Sequence, residues 1–357
     1  MTRDATARNP SAPDAWGTTS PTCANWWKRR TLVVVKISPL FSAMVRMTRF
    51  APLLALLFAL PLGAQRTNRD PDAVRLVTDD IAHFWDAFDA RAVLGTERAL
   101  DSLYFGRATP GLQDFQQLRL QRKDTFAKTV DVAARYYGST RASMARIATF
   151  EPSLRDMLRR FAALYPDATF PDVYFVVGRL STGGTTGSAG LLIGAEMYGR
   201  TDDSLLTAPL GNWHRAVLRP VDDLTVIVAH ELVHYQQGQL GSSLLGRSLR
   251  EGIADFVAEL LTGQNLNAGA VDYLDAHEAE LRAEFLAGMT KDDVSQWLYN
   301  GDASVGRPAD LGYAVGHHIA RAYYERQADK RTAVREMLTL SNEDAARRFL
   351  DASGWAH

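Results

Sequence analysis

The sequence predicts a mainly helical α+β protein with one small sheet. Three observations lead there. Amphipathic segments fill the chain before Pro166 and again after Gly263. Two short apolar stretches, rich in strand-forming residues, flank a Gly-rich turn between residues 171 and 197. After them, Leu224 to Ala229 is apolar nearly all round and leads into His230-Glu231-Leu232-Val233-His234.

In chain order, residues 1–46 contain Pro, Thr and Arg without a sustained period, and read as an extension upstream of a true start at Met44 or Met47. Residues 47–64 read as a secretory signal peptide. Met47-Thr48-Arg49-Phe50 gives a basic start, Ala51 to Leu62 an apolar core of 12 residues, and Leu62-Gly63-Ala64 small residues for cleavage. That core is too short to anchor a mature chain across a bilayer. The expectation is export, to the periplasm or outside the cell, with no stable membrane span in the mature chain. The only cysteine, Cys23, precedes this segment, which leaves neither a disulfide framework nor thiol chemistry. Residues 65–357 hold 32 basic and 39 acidic side chains, a charge of −7. With no basic patch, nucleic acid is excluded as a partner.

Residues 65–166 form a helical N-terminal region, with helices expected over 72–88, 114–137 and 152–164. Trp85, Phe88, Phe115 and Phe161 are its candidate core. Residues 167–357 then hold the strands and the chemistry. A buried strand is expected over 171–178, a flexible turn over 181–187 and a returning strand over 190–197. No Lys follows the turn in the P-loop manner and no helix opens after it, so it is not a phosphate cradle. The strand pair is either a plain core hairpin or carries an edge strand beside the site. Glu196 is weighed as a contact for a substrate amine and is not assigned that role.

Pro220 and an N-cap at Asp222 or Asp223 open the next helix, and Gly238 suits its C′ position. On a helix His230 and His234 share a face. On a strand they would stand about 13 Å apart, too far to share an ion. Two imidazoles so placed can hold Zn2+, and Glu231 can handle the proton of a metal-activated water. Gly241-Ser242-Ser243 and Gly246 suit a turn into a second helix, 248–261. It offers Glu251 as the third ligand and, four residues on, Asp255 to accept the second N–H of a ligand histidine. Glu259 reads as a solvated helix charge. Further helices are expected over 271–286, 291–299, 311–327, 330–340 and 341–350. Gly312, Ala314 and Gly316 permit close helix packing or close approach to a ligand. His317 and His318 are possible oxyanion or substrate contacts. His214 is structural or at a substrate rim, and His83 and His277 are incidental.

His-Glu-Leu-Val-His followed by Glu251-Gly252-Ile253-Ala254-Asp255 resembles the gluzincin zinc metallopeptidases, whose pattern is HExxH and then a helix carrying ExxxD. The Gly-rich stretch before it and Gly312-Tyr313-Ala314-Val315-Gly316 after it resemble a poorly characterised bacterial family of predicted zinc-dependent proteases, from about Asp70 to Leu350. The resemblance implies a zincin-like core, with His230, His234 and Glu251 as zinc ligands. It makes Glu231 the general base, Asp255 the outer partner and Tyr313 a donor to the developing oxyanion. It also implies a peptide or protein substrate, which in such enzymes pairs with an edge strand through main-chain hydrogen bonds. Two alternatives stay open. One is a zinc hydrolase of a cell-wall peptide or non-protein amide; the other is a catalytically silent zincin-fold binding protein. Nothing in the residues sets an oligomeric state.

Overall fold

Local pattern and tertiary support agree for several helices and part company at the sheet, at Gln121, at His277 and over residues 291–299. The structure is a computed structural model that describes residues 68–202, 210–301 and 304–357. The expected upstream extension and signal peptide lie outside those residues. Among the described residues no helix is long and apolar enough to cross a membrane.

Strand β1 (Leu76–Val77) is followed by helix α1 (Asp79–Leu94), which buries Ile81, Phe84 and Phe88 on one face. The single helix expected over 114–137 is not formed. Helix α2 (Pro110–Phe115) widens into a π-helical turn, Gln116–Leu120, and stops at Gln121 with φ 42°. The chain resumes as α3 (Lys123–Val132) and α4 (Ala134–Ala145). The widened turn carries Arg119, whose guanidinium donates to the Thr185 hydroxyl; a tertiary contact thus overrides helical periodicity. Helix α5 (Glu151–Leu164) keeps its expected form, burying Leu154, Met157, Leu158 and Phe161 at helical spacing.

The sheet has the order β1-β2-β4-β3, with β2 at Asp172–Val176, β3 at Gly184–Thr186 and β4 at Gly190–Gly194. The expected returning strand is therefore parallel to β2, not antiparallel. The Gly-rich segment read as a turn contains β3, which pairs antiparallel with β4 and is an edge strand, as β1 is on the other side. Buried tyrosines of the N-terminal region hold this layer. Tyr104 Oη donates to the Val177 carbonyl (2.7 Å) and accepts from its N–H (2.8 Å). Tyr137 donates to the Gly178 carbonyl (2.7 Å) and Tyr136 to that of Glu196 (2.8 Å). Asp114 pins the β3–β4 turn through the Ser188 hydroxyl and the Ala189 N–H.

After the sheet come α6 (Asn212–Val217), α7 (Leu224–Gln236) and α8 (Leu244–Thr262). Residues 271–286 split into α9 (Ala268–Ala276) and α10 (Glu278–Gly288) at His277. The His277 ring turns back to the Tyr273 carbonyl (2.9 Å) and stacks on its ring. The helix expected over 291–299 is absent: the Asp293 carboxylate takes the Ser295 N–H (3.0 Å) and Tyr299 adopts a left-handed φ of 58°. Such local side-chain bonds compete with a helix. The chain ends with α11 (Leu311–Arg326), α12 (Lys330–Thr339) and α13 (Glu343–Ser353). Helices α8 and α11 meet backbone to backbone. A Cβ on Gly316 would lie 1.8 Å from the Ser248 carbonyl oxygen, and one on Gly252 2.1 Å from the Gly316 carbonyl carbon.

Candidate metal centre

Helix α7 is buried along Val226–Ala229 and surfaces at His230 and His234, one turn apart. Their rings stand perpendicular, 4.5 Å between centroids. Helix α8 begins at an N-cap, Ser243, whose hydroxyl accepts the Gly246 N–H, and brings Glu251 beside them. Glu251 Oε2 lies 3.1 Å from His234 Nε2 and 3.6 Å from His230 Nε2. The three ligand atoms all lie within 4.8 Å of one another.

Each member of the trio is held by its remaining polar atom. His230 Nδ1 faces Asp255 Oδ1 at 2.8 Å, and Asp255 Oδ2 accepts from Asn267 Nδ2 at 2.6 Å. His234 Nδ1 faces Gln237 Oε1 at 2.7 Å, and Gln237 Nε2 donates to the Arg250 carbonyl at 2.9 Å. Tyr299 donates its hydroxyl to Glu251 Oε1 at 3.0 Å. With both Nδ1 atoms engaged, both Nε2 atoms and one carboxylate oxygen face a common point. Two imidazoles and a carboxylate are a donor set that zinc takes, and three protein ligands leave a position open.

The electrostatics point the same way. Burial works against charge on His230, but hydrogen bonds to Asp255 and Glu251 outweigh it and raise its pKa to about 10. Burial likewise opposes charge on Glu251, yet the His234 charge and the His230 hydrogen bond hold it well below the usual carboxylate range. The buried carboxylates thus favour positive charge beside them, which a proton on an imidazole or a bound cation supplies equally. Side-chain exposures of 12, 13 and 11% for His230, His234 and Glu251 leave the point reachable.

Glu231 sits outside the trio, against the edge strand: a Cβ on Gly184 would lie 2.3 Å from its carboxyl carbon. The Tyr313 ring lies nearly parallel to that of His230, 17° apart at 6.4 Å. Burial, then the Glu251 charge, keep its hydroxyl protonated far above its ordinary range, so it remains a donor.

Residues 213–346 match the family model described as Predicted Zn-dependent protease (DUF2268). The matched segment is less than half of the chain, but it contains the whole trio together with Glu231, Asp255, Tyr299 and Tyr313. The match supports a zinc protease. No curated protein and no solved structure matched the chain.

Other expected contacts fall elsewhere. His317 is fully buried, with Nε2 2.6 Å from Glu259 Oε2, so Glu259 is no solvated charge. The His317 hydrogen bond, with the charges of His317 and Arg321, lowers the Glu259 pKa. His318 faces Asp275 at 3.3 Å. Neither histidine joins the trio; both follow Tyr313 by a turn on α11 and face α8 or α9 instead. His214, on α6, stands edge-on to Trp213 at 5.0 Å. Gln237 and Tyr299 were not anticipated. Gln237 follows His234 by three residues, a spacing that brings side chains together on a helix. Tyr299 carries no such signal, because a turn delivers it.

Proposed function

We propose that this chain is an exported zinc-dependent metallopeptidase of gluzincin type. One observation carries the reading: three ligand atoms converge on one point while Glu231, on the same helix, stays outside the ligand set beside a sheet edge. His230, His234 and Glu251 would hold the ion. Zinc, when bound, would supply Lewis acidity, drawing charge from a carbonyl oxygen and making water a stronger acid. Glu231 takes the proton of the attacking water and passes it to the leaving amine. Tyr313 donates to the oxyanion as it forms. The pairing of β3 with β4 turns the backbone polar groups of Gly183, Thr185 and Gly187 inward, which leaves those of Gly184 and Thr186 on the outer edge. An extended peptide would bond there, which favours a peptide over a small amide.

The test is Glu231→Gln with a mixed peptide pool. The variant should retain one zinc per chain and lose turnover by several orders of magnitude. Undiminished, chelator-sensitive cleavage by that variant overturns the mechanism. Zinc binding without cleavage by the wild type favours a binding protein instead.

A further inference from the structure

We infer that Tyr299 is a positioning residue for the metal centre, holding the Glu251 carboxylate so that a single oxygen, Oε2, faces the ion. The inference rests on the zinc-site reading above. A carboxylate has two equivalent oxygens and can swing to offer either or both. The Tyr299 hydroxyl occupies Oε1 at 3.0 Å, while Oε2 is the atom that faces both imidazoles. With the Glu251 side chain mostly buried, the Tyr299 hydroxyl supplies the hydrogen bond at Oε1.

The backbone behind Tyr299 supports a dedicated role. Its φ of 58° lies in the left-handed region, which an aromatic residue seldom adopts and a glycine would adopt freely. The conformation is forced by its surroundings. The Tyr299 N–H donates to the Asp310 side chain, and the Asp310 N–H to Asn300 Oδ1 (2.8 Å). Asp310 is itself left-handed at φ 60°, and Gly312 N–H closes the brace on the Trp297 carbonyl (2.8 Å). Two strained residues thus lock one another, and the product is a phenol aimed at the ligand carboxylate. Strain kept at such a place marks a side chain that the site requires. His230 has Asp255 and His234 has Gln237; without Tyr299, Glu251 would lose the partner that fixes its rotation.

The experiment is a double-mutant cycle on the full chain, with Tyr299→Phe and Glu251→Ala made singly and together. Zinc affinity is read by competition with a chromogenic chelator, and the cobalt-loaded proteins are compared by visible absorption. Tyr299→Phe should weaken zinc binding by about 10- to 100-fold when Glu251 is present. It should change affinity less than about twofold when Glu251 is already alanine. Its cobalt band should shift as the carboxylate becomes free to chelate. Unchanged affinity, or an equal loss in both backgrounds as a folding defect would give, overturns the inference. Failure of the wild type to bind zinc overturns the metal reading itself, and is seen before any variant is compared.

Discussion

At Gly184 one added carbon decides whether Glu231 keeps its place. The alanine Cβ would lie 2.3 and 2.4 Å from the Glu231 Cδ and Oε1. A flexible carboxylate can move aside, so Gly184→Ala should fold and keep its zinc. Turnover should still fall about 100-fold, because an ångström of misplacement costs that much in a reacting geometry. Normal kinetics with normal zinc content would show that Glu231 does not act from this position. A second carboxylate sets a pH dependence. Glu196 is fully buried, and burial lifts its pKa to about 7 despite hydrogen bonds from the Gly178 and Leu180 N–H groups. Its folded value lies above the unfolded one, so folding takes up a proton between about pH 4.5 and 7. The stability tied to the neutral acid is complete below about pH 4.5 and is lost as pH rises through 7. The loss is roughly 3 kcal/mol. Melting curves at pH 5 and pH 8 should show this fall in the wild type and not in Glu196→Gln.

Among the elements, the α8–α11 contact sets the geometry of the centre. Helix α8 carries Glu251 and Asp255, and α11 carries Tyr313. Their axes approach closely only because Gly252 and Gly316 have no side chain there. Gly316→Ala should cost the upper end of the roughly 1–3 kcal/mol typical of overpacking, since the obstruction is backbone. It should weaken zinc binding as well, as the helices part. Denaturant unfolding and a zinc titration check both; an unchanged midpoint would mean that the helices are free to slide. This contact was half legible in the sequence. The small residues at 312, 314 and 316 stood out, but their partner helix did not, because spacing along one helix does not name its neighbour. The expected helix over 291–299 failed for a related reason. Local periodicity there is outweighed by the Asp293 turn and by the brace from Asp310 to Tyr299, both made by side chains.

For the whole molecule, the N-terminal helices are part of the sheet's support. Phenols of Tyr104, Tyr136 and Tyr137 satisfy backbone groups at Val177, Gly178 and Glu196, and Phe84, Tyr104, Phe126 and Tyr137 pack ring against ring. A fragment beginning at residue 167 would leave those groups buried and unpaired, or flood the apolar layer with water. It should lack near-UV circular dichroism and a cooperative melt. A folded, zinc-binding fragment would show that residues 65–166 are dispensable.

By itself the sequence determined what periodicity can fix: that His230 and His234 share a helix face, that Glu251 and Asp255 share one on the next helix, and that Gly312 and Gly316 line up on α11. Each follows from the 3.6-residue helical turn acting within one element. Only the tertiary structure decided that β3 forms the sheet edge beside Glu231, that His317 answers Glu259, and that Gln237 and Tyr299 hold two members of the trio. Those outcomes depend on which surfaces meet. Gln237 and Tyr299 are brought to the centre by a helix end and a braced turn, and packing between distant segments sets where such features come to rest.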